Sequence, residues 1–449
     1  MSEHEFYDAA LAEVFPVHSS VNLRGELEIG GCSVVELART FGTPAYVVDE
    51  EGLREQMRRY RDGMSARWPG GAVTFASKSM PVLATYAIAA SEGIGVDVAG
   101  AGELILALEA GVPPETMYLH GNAKSVEELR LAVECGVGTI VVDNLADIER
   151  LERLLTRKQP VLIRVIPGID PNTHRSVATG GSDSKFGLPI EQARALIARL
   201  EGHPTIEVEG VHLHIGSQIL DVEPFRRAVQ AIAGFGTFRT YNIGGGLGVN
   251  YNVGHRAPTV EEYLDEITAI AREVLPAGSR LLIEPGRSLV ARSGITIYEV
   301  NNVKTTGKTF VAVNGGLADQ MNVALTDTTF SAVVANRAGE QPNVTAQLVG
   351  RQCESGDLLV DGARLADPAA GDIIALGATG AYGYTLANNY NGALKPPVVF
   401  CRDGDTRLAV RRETYEDYLS THTPARSVPW ADAARTAPET PARIVAWGA

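Results

Sequence analysis

One pattern in the 449-residue chain restricts its fold more than any other: short β-type runs alternate with helical stretches at a nearly constant interval. Runs begin near Val73 (VTFAS), Gly95 (GVDV), Met117 (MYLH), Thr139 (TIVVD) and Val161 (VLIRV), about 22 residues apart. That interval is the length of one short strand, one helix and two tight loops. Three more runs follow, near Val208 (VEGVHLHIG), Thr240 (TYNIGG) and Leu281 (LLIEP), and an opening strand, Ala45 to Val48, precedes the set. The intervening segments read as helices. Ser125-Val-Glu-Glu begins one with a serine cap and an acid three residues later. Eight parallel strands with helical crossovers make a (β/α)8 TIM barrel, an α/β fold. A doubly wound open sheet is the alternative, but eight units in a row favour closure.

After Arg287 the character changes. Runs such as ITIYEVNNV, KTFVAVN, VTAQLVG and PPVVFC are strand-like, broken by the turn pairs Thr306-Gly307, Asp361-Gly362 and Asp403-Gly404. They predict an antiparallel β-sandwich or barrel, to which the N-terminal LRGELEIGG adds a strand. The expected organisation is a barrel over 45–290, a β domain from 1–44 and 291–420, and a Pro/Ala-rich tail over 421–449 with no assigned function. A chain this long exceeds one simple core, so two domains are expected.

Charge narrows the partners. The formal net charge is −14 and there is no basic run, which disfavours nucleic acid and anionic lipid. A small molecule is the expected partner. No segment approaches the ~18 apolar residues of a membrane span. Met1 to Ser20 lacks a basic-then-apolar signal pattern, so a cytoplasmic location is expected. Cys32, Cys135, Cys353 and Cys401 form no Cys-x-x-Cys pair, which argues against a disulfide framework or a zinc site. The nine histidines show no metal-ligand spacing, and no metal is expected.

In a TIM barrel the chemistry sits at the C-terminal strand ends. Those ends carry Ser77-Lys78, Asp97, His120-Gly-Asn122, His214-Ile-Gly-Ser217, Gly244 to Gly248 and Glu284-Pro-Gly-Arg287. Lys78 lies in the apolar segment FASKSMP. Burial there would lower its pKa toward a nucleophilic amine, although a solvated lysine at a loop start is the simpler reading of that residue alone. A GGGLG run is by itself a tight turn. After the seventh strand, where barrel phosphate sites commonly lie, its amides suit a phosphate. A carboxylate such as Glu284 beside a pyridine nitrogen keeps that nitrogen protonated and makes the ring an electron sink. Arg287 can pair with a phosphate or a carboxylate, or close the barrel as a structural ion pair. His214 could lie flat on a cofactor ring, though an isolated histidine is more often a core residue.

Taken together these segments match a known family. FASKSMP, GVDVAGAGEL, LHGNAKS, SKFGL, HLHIGSQI, NIGGGLG, IEPGRSLVA, CESGD and ATGAYGYTLANNYN occur in one order between residues 75 and 391. The chain resembles the fold-type III, alanine-racemase-like pyridoxal 5'-phosphate (PLP) decarboxylases, and among them the diaminopimelate decarboxylases. The resemblance implies that Lys78 carries PLP and that Asp97 is among the cofactor-binding residues. It implies that His214 stacks on the ring, and that Ser217, Gly244, Gly245, Gly246 and Tyr382 contact the phosphate. Glu284 looks like the pyridine-nitrogen partner and Arg287 like a substrate or phosphate contact, with Tyr382 also on the substrate side. Cys353 looks like the proton donor and Glu354 like a contact to a substrate amino group. In the family both come from the other subunit of a head-to-tail homodimer. A buried hydrophobe is the ordinary reading of a lone cysteine, but Glu354-Ser-Gly-Asp357 is too polar a setting for it.

One segment departs from the pattern. Diaminopimelate decarboxylases carry DGGMxDxxRxALY, whose arginine and tyrosine hold the distal carboxylate. This chain has Asn314-Gly-Gly-Leu-Ala-Asp-Gln-Met-Asn322-Val-Ala-Leu-Thr326, so Asn322 and Thr326 stand at those substrate-binding positions. The expected function is therefore PLP-dependent decarboxylation of an amino acid other than meso-diaminopimelate, with Arg337 or Lys185 as replacement cations otherwise. Meso-diaminopimelate decarboxylase of lysine biosynthesis is the alternative. An amino-acid racemase of this fold would be expected to place an arginine at the ring nitrogen, which Glu284 opposes. A catalytically dead regulatory homologue would be expected to lose Lys78 or the glycine loop, and both are present.

Overall fold

Each of the eight runs folds as a short strand: β1 (Ala72–Ala76), β2 (Gly95–Val98), β3 (Met117–Leu119), β4 (Thr139–Val142), β5 (Gln159–Arg164), β6 (Ile206–His212), β7 (Thr240–Asn242) and β8 (Arg280–Ile283). All neighbours pair in parallel, and β8 returns to β1 through Leu282 opposite Ala72, closing the barrel. The computed structural model describes residues 6, 8–170, 173–174, 176, 179–181 and 184–422.

Strands covered on both faces read as continuous apolar runs, and all four residues of β4 are buried. Side chains alternate across each strand, and the two faces meet different surroundings. Phe75, Val96, Val98, Ile140, Ile163, Val211, Tyr241 and Ile283 face the helices and belong to the main core. Tyr118, Val141, Leu162 and Leu282 form a separate cluster inside the barrel. Two residues further along, the inward positions become Asp97, His120, Asp143, Arg164, His212, Asn242 and Glu284, all buried. The interior thus has an apolar lower layer and a polar upper layer at the C-terminal mouth.

Helices surround the barrel. The predicted cap at Ser125 is a full capping box with Glu128 on Val126–Cys135, and Thr259 with Glu262 builds a second on Val260–Val274. Helix Glu50–Arg67 precedes β1 and packs against Val260–Val274. Gly63 permits the approach, since a Cβ there would lie 2.9 Å from Leu264 Cδ1.

The second layer of structure corrects four expectations. Ala45–Asp49, grouped with the barrel at the boundary of 45, pairs antiparallel with Gly294–Thr305 and parallel with Val398–Arg402. It is a central strand of a nine-stranded sheet. That sheet is mixed rather than antiparallel, because Thr309–Val313 and Val344–Val349 also pair in parallel. LRGELEIGG adds no strand to it. Leu27–Ile29 pairs instead with Ser19–Val21 and Cys32–Ser33 in a small separate sheet, whose Leu27, Ile29 and Cys32 sink into the β-domain core. Asp403-Gly404 makes the expected hairpin turn with φ values of 53° and 84°. Asp361-Gly362 does not turn, and lies within the strand Leu358–Leu365.

Residues 413–449 form a separate unit. Its described part contains the short helix Tyr415–Leu419, capped by Thr414. The expected tail lies, from residue 423 on, outside the described residues. Among the described residues no helix is long and apolar enough to cross a membrane.

Gly210 shows how tightly the barrel closes. A Cβ on this β6 residue would lie 1.8 Å from the Thr240 carbonyl oxygen of β7. Gly210→Ala should destabilise the fold by roughly 1–3 kcal/mol through overpacking, read as a lower Tm with unchanged helical circular dichroism.

Candidate active site

The polar upper layer opens into a cavity of about 530 Å³ at the C-terminal strand ends. Its floor is set by Glu284, one residue beyond β8 and buried. Glu284 Oε1 accepts from His120 Nε2 at 3.0 Å and Asn242 Nδ2 at 2.6 Å, and Oε2 accepts from His212 Nε2 at 3.1 Å. Burial opposes the charged form of Glu284, yet the two imidazoles and their hydrogen bonds hold it well below the usual carboxylate range. Burial also pushes His212 down to about 4, so it donates as a neutral imidazole. Its buried Nδ1 has no protein partner.

Two of the three donors are fixed from behind. The loop bearing His120 is anchored by Lys124, whose ammonium donates to Gly121 O at 2.6 Å and to buried Asp147 at 2.7 Å. Asn242 Oδ1 accepts from Gly244 N–H at 2.9 Å, tying the glycine loop to the carboxylate.

Lys78 lies in the turn Ser77–Ser79 after β1 and lines the cavity with Asp97. The expected lowering of its pKa is reversed. Desolvation favours the neutral amine, but Tyr382, Asp97 and Glu284 outweigh it and hold the ammonium above its ordinary range. The side chain is not sealed in apolar packing: its surface opens into the cavity. Among the described residues Asp97 accepts no compensating donors like those on Glu284. Burial pushes it up to about 7, against the pull of His120 and with a push from Glu284.

His214 also lines the cavity and accepts Gly245 N–H on Nδ1 at 3.2 Å. Burial first, and then Lys78 and Arg164, lower its pKa well below the ordinary value. The glycines have a packing role that the sequence reading did not contain. A Cβ on Gly245 would lie 2.0 Å from Glu284 O, and one on Gly246 would lie 2.5 Å from Gly216 O. Only glycine lets these strand ends converge. Arg287 donates from Nε and Nη2 to Ser217 Oγ, both at 3.1 Å, and from Nη1 to the Tyr251 hydroxyl. Its guanidinium sits 4.7 Å over the Tyr382 ring. Tyr382 takes a left-handed φ of 61°, and its N–H is held by Ser79 O at 2.8 Å.

The substrate-side residues divide. Asn322 and Thr326 line the cavity. Cys353 and Glu354 are exposed and do not line it; Glu354 accepts from the Tyr390 hydroxyl. Arg337 pairs with Asp372 away from the cavity, and Lys185 lies 5.0 Å from the Phe186 ring. The sequence reading passed over His212, Asn242 and Arg164. Arg164 lines the cavity, faces Asp143 at 3.7 Å and lies 4.6 Å over Phe186. The signal for all three was parity. His212 is two residues before His214, and each of the three shares its strand's inward face.

This donor set fits a planar, anionic ring cofactor. A lysine amine enters from one side and Lys78, Arg164 and Arg287 supply positive charge. Glu284 Oε2, with one donor, keeps a lone pair for a ring N–H. The barrel and site together define a PLP-dependent enzyme. Residues 51–291 match the family described as pyridoxal-dependent decarboxylase, pyridoxal binding domain. Diaminopimelate decarboxylase of Actinosynnema pretiosum subsp. auranticum is 42% identical over 412 residues, 88% of this chain and 92% of the relative. That of Bacillus subtilis (strain 168) is 38% identical over 429 residues, 91% and 98% of the two chains. The crystal structure of diaminopimelate decarboxylase from M. jannaschii in co-complex with L-lysine superposes with a TM-score of 0.84 at 29% identity, covering 92% of this chain and 98% of that one. The chain belongs to the fold-type III PLP decarboxylases, in the diaminopimelate decarboxylase family. It is a carboxy-lyase, and its cofactor is pyridoxal phosphate.

Two measurements test the site. Borohydride reduction of the holoenzyme followed by peptide mapping should place the cofactor label on Lys78; a label elsewhere overturns that position. Glu284, whose folded pKa is depressed, contributes stability that is complete above its unfolded value near 4.5 and is lost as pH falls through the folded value. Glu284→Gln turns an amide toward donors that need an acceptor. Urea unfolding should show it less stable by roughly 1–3 kcal/mol at neutral pH, with the gap closing toward acid.

Proposed function

We propose that this chain removes the α-carboxylate of meso-diaminopimelate as CO2, leaving an amine. The observation that carries the reaction is the pairing, across one cavity, of Lys78 with a Glu284 held ionised by three donors. The substrate is supported by relatives named for it that are 36–42% identical over most of the chain. They favour this reading over the different substrate that Asn322 and Thr326 led us to expect.

In this proposal Lys78 holds the cofactor, Asp97 lies beside the lysine, and His214 packs against the ring. Ser217, the Gly244, Gly245 and Gly246 amides and Tyr382 surround the phosphate, with Arg287 between phosphate and substrate. Bound there, PLP supplies an electron sink for the pair left by the departing carboxylate. Glu284 holds the ring-nitrogen proton. Cys353 delivers a proton from Sγ to the α-carbon, and Glu354 receives a substrate ammonium. Cys353 and Glu354 are exposed and absent from their own chain's cavity, which supports their donation to a second copy in a homodimer. A cytoplasmic location belongs to the same proposal, since free amino acids are available there. Mixing inactive Lys78→Ala with inactive Cys353→Ala protein, under subunit exchange, should restore part of the activity. No recovery despite exchange would mean that each site is built within one chain.

A second reading, a substrate lacking a distal carboxylate, is favoured by the donors available on the cavity wall. A carboxylate needs N–H or O–H groups. Thr326 Oγ1 donates to Asn322 O at 2.9 Å, Ser176 Oγ to Leu325 O at 2.9 Å, and Thr179 Oγ1 to His214 O at 3.0 Å. Their remaining lone pairs accept rather than donate, and Asn322 is uncharged. Stranding a buried charge costs roughly 3–5 kcal/mol. The kcat/KM for meso-diaminopimelate, beside a panel of D- and L-amino acids, decides between the readings. If meso-diaminopimelate is best, the second falls. If it is poor, the first falls, and Asn322→Arg with Thr326→Tyr should improve it.

A further inference from the structure

Glu284 is the floor of the site, but a buried carboxylate does not stay ionised by itself. Desolvation favours its acid form, and as the acid it would present an O–H where the ring nitrogen needs an acceptor. Something in this chain must oppose that. Lys78 and Arg164 lie within electrostatic reach, but Asp97, pushed up to about 7, opposes them to the extent that it ionises, and Tyr118, His214 and Tyr263 bring no net cation. The directional contacts are the two imidazoles and one amide. His120 and His212 stand edge to face, with ring centroids 5.0 Å apart, and each aims Nε2 at a different oxygen of the same carboxylate. The donors arrive from three strand ends, so the carboxylate is fixed in plane as well as in charge. Oε1 is filled by His120 and Asn242, while Oε2 has one donor and keeps a lone pair.

The same three groups, His120, His212 and Glu284, bring their ligating atoms within 4.8 Å of one another. A cation bound among them would need imidazole lone pairs where Nε2–H groups now donate to the carboxylate. The hydrogen-bonded arrangement, with Nε2–H groups as donors to the carboxylate, accounts for the contacts.

We propose that His120 and His212 are paired positioning residues: their Nε2–H donors keep Glu284 an oriented anion, and so hold the proton on the cofactor's ring nitrogen. Neither residue touches the reacting carbon in this role. Asn242 completes the cradle and links it to the glycine loop through Gly244. Removing one imidazole leaves the carboxylate desolvated with a donor lost, which moves it toward its acid form and frees the ring nitrogen of its proton.

The test reads that proton directly. Holoenzyme reconstituted with 15N-labelled pyridoxal phosphate is examined by NMR at neutral pH. The wild type should give a protonated ring-nitrogen signal. His120→Leu and His212→Phe should each lose it and give the unprotonated signal. His120→Gln and His212→Gln, whose amide N–H reaches a similar distance, should retain it. A protein that is merely less stable would lower Tm without moving this signal. His212 is the more buried of the two; should His212→Phe fail to fold, His120→Leu decides. A protonated ring nitrogen in folded His120→Leu overturns the proposal.

Discussion

The carboxylate of Glu284 is the constraint on which the rest of the active end depends. Bringing an ion into a barrel interior costs several kcal/mol unless hydrogen bonds replace its water. Here the replacements come from the ends of β3, β6 and β7, while the carboxylate follows β8. Four strand ends are thereby tied to one charge. The tie also specifies register. A slip of one residue exchanges the two faces of a strand: it would turn Val211 or Leu213 toward the carboxylate in place of His212, and would send the imidazole among the helix-facing side chains. A like slip of β3, β4, β5 or β8 would turn Tyr118, Val141, Leu162 or Leu282 out of the apolar layer beneath. Chemistry and fold therefore select the same alignment.

This coupling explains what was legible in the sequence. The barrel was, because a strand buried on both faces is a short apolar run and a crossover helix has a narrow length range. Lys78, Asp97, Glu284 and the glycine loop were, because chemistry in this fold stands at the strand ends. His212, Asn242 and Arg164 were equally available from the period of two, with His214 marking the inward parity of β6. They were missed because roles fell only to residues beyond the strand ends, when the last inward residue of each strand supplies the hydrogen bonds.

What sequence pattern could not carry was non-local pairing. Ala45–Asp49 reads as the first strand of an alternating series, yet its partners are Gly294–Thr305 and Val398–Arg402, about 250 and 350 residues away. No local periodicity encodes such a choice. Asp361-Gly362 has turn composition but sits in a strand, where Gly362 takes a φ of 70° beside a shift in register. The direction of the Lys78 shift was misread for a related reason. Desolvation is local and can be guessed from apolar neighbours, whereas Asp97 and Glu284 act on the lysine through the barrel.

The site divides into parts of different origin, and that division governs what kinship implies. The groups proposed to choose the reaction, Lys78, Glu284 and their supports, stand at barrel strand ends whose positions the hydrogen-bonded core fixes. The cavity-wall groups proposed to meet the far end of a substrate, Asn322, Leu325, Thr326 and Ser176, lie on the short helix Asn322–Leu325, at its end, and on the loop after β5. Replacing a wall residue leaves the barrel interior intact, since these side chains donate to backbone carbonyls of the wall itself, as Thr326 does to Asn322 and Ser176 to Leu325. Replacing His212 or Asn242 disturbs both register and charge. Identity spread over most of the chain therefore speaks strongly for decarboxylation. In the proposed function the far end of the substrate meets only a handful of side chains, Asn322 and Thr326 among them, and so few residues add almost nothing to an identity counted over 412 positions.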